Sequence, residues 1–162
     1  MELNKVEHIN YQSLVSTITQ TLEHGRNTVA RAVNTQLLQT YWAIGQYIVE
    51  YEQNGSDRAT YGKLLIDNLA NDLSTIHGKG FSRSNLIYMR LLYIKYPISE
   101  KPSHLLSWSH YVELLKIEND IERSFYEKQA ILENWSIPEL KRQKQASLFL
   151  RLAASKDKEG IL

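Results

Sequence analysis

Seven apolar residues, Val29, Val33, Leu37, Tyr41, Ile44, Ile48 and Tyr51, follow one another at steps of four, four, four, three, four and three. That spacing keeps them on one face of a helix and is incompatible with a strand, whose faces alternate every second residue. The same period recurs along the chain, and the alternation of β-branched residues that marks half-buried strands is missing. With only 3 Pro and 7 Gly to interrupt 162 residues, the expected fold is all-α, a bundle of six or seven helices.

Leu14, Ile18 and Leu22 place a first helix at about residues 10–24, with Gly25 expected to break it before a long second helix that ends at Asn54-Gly55. A third helix carries Leu65, Leu69, Leu73 and Ile76 and closes at His77-Gly78-Lys79-Gly80. A fourth is capped by Ser82, buries Leu86, Met89, Tyr93 and Tyr96, and stops at Pro97. The loop 97–106 is the expected boundary between subdomains 1–98 and 99–162 of a single helical domain. Three shorter helices are expected over about 108–117, 120–133 and 137–154. Ser136 and Glu139 open the last with a capping-box pattern, and Pro138 is tolerated in its first turn.

The chain has no cysteine, which excludes disulfides, thiolate metal sites and cysteine nucleophiles. The N-terminus has acidic residues where a signal peptide needs an apolar core, so a cytoplasmic location is expected. No apolar run approaches the roughly 20 residues of a membrane span. No G-x-S-x-G elbow supports acyl transfer. His104 and His110, six apart, do not have the spacing of a helical zinc pair, so no metal is expected, and packing or a carboxylate partner is expected for His110. Glu139-Leu140-Lys141 matches a fragment of a nuclease metal motif, yet it opens a helix and reads as a cap.

Charge is uneven. Residues 1–78 hold 5 Lys/Arg against 8 Asp/Glu, and residues 79–162 hold 14 against 10. No carboxylate lies between Asp72 and Glu100, a window containing Lys79, Arg83, Arg90 and Lys95. A second acid-free window runs from Lys141 to Lys156. Helix, glycine turn and helix with cations at the start of the second helix is the arrangement of a helix-turn-helix DNA reader. At about 100° per residue, Ser84, Tyr88 and Lys95 point away from the buried stripe, whereas Arg90 falls about 40° from it and is expected to be structural. The candidate nucleic-acid contacts are therefore Lys79, Arg83, Ser84, Asn85, Tyr88 and Lys95, with Lys141, Arg142 and Lys144 as a second, sequence-independent phosphate face. This reading requires Arg83 and Lys95 to be open to solvent and free of acidic partners. The alternative is a helical interaction module whose face Leu37, Tyr41, Ile44, Ile48 and Tyr51 pairs with a second copy or docks another domain. The many aromatic rings, Trp42, Tyr47 and Tyr51 among them, are expected in the core more than on stacking platforms.

Several phrases in order, Tyr41-Trp42-Ala43-Ile44-Gly45, Tyr61-Gly62, Gly80-Phe81-Ser82, Asn85-Leu86 with Met89-Arg90, Leu106-Ser107-Trp108-Ser109-His110-Tyr111, Arg123 with Phe125-Tyr126, and Trp135-Ser136 with Glu139-Leu140, resemble the N-terminal helical domain of the YhcG-type family. The resemblance implies a bacterial, cytoplasmic protein in which this domain binds DNA or mediates assembly. It also implies a PD-(D/E)XK nuclease domain after Leu162, absent from this sequence. Cleavage and magnesium would belong to that following domain, so no catalytic residue and no cofactor is expected among these 162 residues. DNA, a second copy of the chain and the downstream nuclease domain are the implied partners.

Overall fold

The computed structural model describes the backbone of residues 2–54, 58–98 and 101–159, and side chains within 10–54, 64–98 and 101–155. The expected turn at Gly55-Ser56-Asp57, the side chains of Tyr61-Gly62 and the Lys156 end of the second basic window lie outside these. Seven helices and no strand occur among the described residues: α1 (Glu2–Asn54), α2 (Arg58–His77), α3 (Arg83–Lys95), α4 (Trp108–Leu115), α5 (Asp120–Leu132), α6 (Ile137–Gln145) and α7 (Leu148–Glu159). The fold is all-α.

Two boundaries differ from expectation. Gly25 does not break the chain, and both N-terminal stripes lie on the single 53-residue helix α1. A lone glycine lowers helix stability by only about 1 kcal/mol, too little to stop a helix that continues favourably on both sides. The helix expected over 137–154 is divided at Ser147, whose φ of 54° ends α6. Nothing between Lys141 and Ala154 is Gly or Pro, so composition carries no sign of the stop.

Other local signals are realised atom by atom. Ser82 accepts a hydrogen bond from the Asn85 amide and caps α3. Gly78 and Gly80 take φ of 78° and 112° between α2 and α3, a backbone only glycine adopts without strain. Asn134, at φ 52°, closes α5 in a Schellman arrangement in which the Trp135 amide donates to the Ala130 carbonyl at 2.9 Å. Ser136 caps α6 by accepting from the Glu139 amide. Glu139 itself turns to Gln143 and Arg142.

The core forms around α3. Its Leu86, Met89 and Leu92 are fully buried, with α1 crossing on one side and α2 on another. Ile48 of α1 and Ile66 of α2 join Leu86 and Met89 in one cluster. Leu38, Leu92 and Tyr96 join Tyr111, Leu114, Tyr126, Ala130 and Leu140 in a second, so residues on both sides of the 97–106 loop share one core. Tyr41 and Trp108, ring centroids 4.7 Å apart, belong to both. The indole of Trp42 meets the edge of Tyr93 and donates to the Tyr96 carbonyl at 2.6 Å, tying α1 to the end of α3. Tyr47 and Tyr51, expected in the core, are instead exposed at 68% and 57%.

Candidate nucleic-acid interface

The glycine turn and the first turn of α3 stand open. Lys79, Arg83 and Ser84 are exposed, and Lys79 has no ion-pair or hydrogen-bond partner among the described residues. The first turn of α3 contains no acid, so the partial positive charge of the helix start is not offset there. Ser84 faces outward as expected, whereas Tyr88 is half-buried and packs against the core. Together with Leu91, Lys95 and Lys116 they line a groove of about 420 Å³ between α3 and the end of α4. Lys116 belongs to this groove only through the docking of α4 on α3, and no local signal in the sequence announces it.

The requirement that Arg83 and Lys95 be free of acidic partners is not met: both are ion-paired. Arg83 remains 63% exposed at its side chain, but its Nε donates to Asp67 of α2 at 2.8 Å. Lys95 is bonded to Asp120 of α5 at 3.2 Å, and that carboxylate also accepts from Arg123 at 2.6 Å. Both acids come from outside the acid-free window and are brought in by tertiary packing. Hydrogen bonds from Arg123 and Lys95 hold the Asp120 carboxyl below its ordinary range. Asn85 is occupied as well: its side chain donates to the Gly80 carbonyl at 3.1 Å and fixes the turn. Arg90 is structural as expected, forking onto Glu52 of α1 through Nε and a terminal nitrogen.

The second basic face loses Lys144, while Lys141 and Arg142 stay exposed at 52% and 73% beside acidic neighbours. Glu113 of α4, 7% exposed, gathers cations here. Lys144 donates to the Glu113 backbone carbonyl at 2.7 Å and to its carboxylate at 3.3 Å, with its own side chain only 18% exposed. Lys116 bonds the same carboxylate at 2.6 Å, and Lys141 lies 3.9 Å from it. Arg142 pairs with Glu139. Burial would raise the Glu113 carboxyl, but the hydrogen bonds from Lys116 and Lys144 prevail and hold it below the usual carboxylate range.

The hydrogen bonds of His110 go to Ser107 and Trp135, not to a carboxylate. Its Nδ1 lies 2.7 Å from the Ser107 hydroxyl and 3.2 Å from the Ser107 amide, and its Nε2 lies 2.8 Å from the Trp135 carbonyl. Only a proton on Nε2 lets that nitrogen donate to Trp135 while Nδ1 accepts from Ser107, so His110 completes the cap of α4 and fastens it to the α5–α6 turn. No group of three acidic or histidine side chains able to hold a metal occurs among the described residues. No helix among them is long and apolar enough to cross a membrane.

Of the face Leu37, Tyr41, Ile44, Ile48 and Tyr51, the structure turns Ile48 into the core and Tyr41 against Trp108. Ile44 and Tyr51, with Tyr47, border an open groove of about 500 Å³ against Leu65, Asn68, Leu69 and Asp72 of α2. Leu37 is half-buried.

Seven helices with a glycine-turned hairpin between α2 and α3 define an all-α helical domain. Residues 17–151 match the DUF1016 N-terminal domain, and the chain belongs to that family. It is 34% identical, over 185 aligned positions, to the Escherichia coli (strain K12) protein named "Putative nuclease YhcG", an alignment covering 94% of this chain and 49% of that protein. The chain therefore spans about half the length of this relative and is a YhcG-type N-terminal domain. No solved structure matches it.

Proposed function

We propose that this domain is the DNA-targeting part of a bacterial nuclease, captures duplex DNA through the glycine turn and the start of α3, and does not cleave DNA itself. The observation that carries this reading is the open entry to α3, where Lys79, without a partner among the described residues, adjoins exposed Arg83 and Ser84. The Arg83–Asp67 pair is a weak obstacle. Pairs this exposed contribute about 1 kcal/mol or less. Only Nε of Arg83 is engaged, so its terminal nitrogens remain available for the forked bond a phosphate accepts. Lys95 and Lys116 line the adjoining groove together with Glu118, each paired with an acid, Asp120 and Glu113, and Ser84 and Tyr88 border the same groove. Lys144 is removed from the interface by its burial and Asn85 by its role in the turn, and Lys141 and Arg142, though exposed, lie on α6, away from the turn. Cleavage and magnesium are assigned to a nuclease domain following in the same polypeptide, and the location is cytoplasmic.

Fluorescence anisotropy with a duplex at several salt concentrations tests this. Two neutralised phosphates give a log K against log salt slope of about −2. The Lys79→Ala, Arg83→Ala double variant is expected to bind at least tenfold more weakly at low salt, with most of that slope gone. Lys141→Ala, Arg142→Ala is expected to bind as the unchanged chain does. Equal binding by the Lys79, Arg83 double variant would refute the assignment. Incubation of the chain with duplex and magnesium is expected to leave the DNA intact.

A second reading, an interaction module without nucleic-acid contact, is favoured by one observation: the N-terminal half of α1 exposes a row of large apolar side chains.

A further inference from the structure

From Asn10 to Val33 every residue of α1 is exposed, a stretch of about 36 Å at 1.5 Å per residue. Tyr11, Leu14, Val15, Ile18, Leu22, Val29 and Val33 are each between 46% and 67% exposed. A polar helix standing alone in water is ordinarily held by ion pairs one turn apart. Here the only Asp, Glu, Lys or Arg between Asn10 and Val49 are Glu23, Arg26 and Arg31. The intervening residues are largely Thr, Ser, Asn and Val, poor helix formers on their own. Thr17, Thr19, Thr21 and Thr28 turn their hydroxyls back onto the carbonyl four residues earlier, which presents methyl groups outward. Such a segment needs a covering partner to remain helical.

The spacing specifies what kind of partner fits. Leu14, Ile18, Leu22, Gly25, Val29 and Val33 advance by four, four, three, four and four. Residues eleven apart, such as Leu14 and Gly25, lie three turns apart, so the row runs straight along the helix with almost no winding. The series of steps reads the same from either end. Two antiparallel copies about a two-fold axis between Glu23 and His24 therefore oppose Leu22 to Gly25, Ile18 to Val29 and Leu14 to Val33, a larger side chain against a smaller one at every level. This is the self-complementarity a two-fold interface demands. At roughly 100 Å² exposed for each of the seven side chains, the face offers about 700–800 Å² per copy, the size of a standard specific interface. None of the three charges falls in the row to oppose such a pairing.

We propose that residues 11–33 of α1 form an antiparallel homodimer seam, whose occupant is the same segment of a second copy. The proposal rests on α1 alone and stands independently of DNA binding. Sedimentation equilibrium of the 162-residue chain at micromolar concentration is expected to give twice 18.8 kDa. Ile18→Glu and Leu22→Glu are each expected to return the monomer mass, because each places two carboxylates in the seam. Thr17→Glu, off the row, is expected to leave the dimer intact. All three lie away from the core, and the tryptophan-detected unfolding of the body reports that each variant is folded. The register is read separately. Since the chain has no cysteine, oxidation of an Ile18→Cys, Val29→Cys double variant is expected to give a covalent dimer, whereas Ile18→Cys alone is not. A monomer mass for the unchanged chain would overturn the proposal and leave the face to a different protein or to a downstream segment. Ready cross-linking of Ile18→Cys alone would overturn the antiparallel register.

Discussion

Gly45→Ala is expected to destabilise the chain by about 3 kcal/mol, and Gly45→Val to abolish cooperative unfolding. These are large fractions of the 5–15 kcal/mol that holds a typical domain together. Alanine in place of glycine within a helix ordinarily stabilises by up to about 1 kcal/mol. Here the sign reverses because α1 and α3 cross at this point. A Cβ on residue 45 would collide with the Met89 carbonyl oxygen, lie 2.8 Å from its carbon and 3.1 Å from Cβ of Tyr93. The obstacle is backbone, so it cannot rotate aside. Relief requires moving α1 away from Leu86, Met89 and Leu92, the fully buried residues of α3. Urea denaturation checks this, and a Gly45→Ala midpoint equal to or above that of the unchanged chain would contradict the crossing geometry.

The second large effect concerns Glu113. Glu113→Ala is expected to lower stability by about 3 kcal/mol, since it removes the carboxylate that pairs with Lys116 and half-buried Lys144 and leaves Lys144 only the backbone carbonyl of residue 113. The same residue shapes the acid limb. Its folded carboxyl titrates below the ordinary glutamate value, so the stability it contributes is complete above about pH 4.3 and is lost as pH falls through the folded value. Glu127 acts in the opposite sense. Burial pushes its carboxyl up, so its contribution is complete at low pH and declines as pH rises through the raised value. Thermal midpoints of Glu113→Gln are therefore expected to fall less steeply between about pH 5 and 3 than those of the unchanged chain. A parallel loss in both would show that Glu113 is not the group responsible.

Helical class, the cap at Ser82 and the glycine turn are legible because each is set by residues close in sequence, and Arg90 because its angle places it beside the buried stripe, although its partner Glu52 lies 38 residues away. Periodicity marks a face without saying what covers it. Val29 to Tyr51 reads as one continuous stripe, yet Ile48 is in the core, Tyr51 is on a groove, and Val29 and Val33 are open. The break expected at Gly25 overrated a single glycine. The cationic windows were read along the chain, where they hold no acid, but Asp67, Asp120 and Glu113 reach Arg83, Lys95 and Lys144 from other helices. Partners 16, 25 and 31 residues away leave no trace in a linear charge pattern. What survives of the candidate interface is the part nearest the turn, where local geometry alone decides exposure. His110 illustrates the same limit: its bond to Ser107 follows from the capping spacing, whereas its bond to Trp135 follows only from the docking of α4 on the α5–α6 turn.

The most direct test of DNA capture at this turn is a titration of the isotope-labelled chain with a short duplex, followed by backbone amide chemical shifts. The account predicts perturbations concentrated between Lys79 and Tyr88, with smaller shifts at Lys95 and Lys116 and none along α6. Perturbations centred on α6 and α7, or spectra that do not change at all, would contradict it.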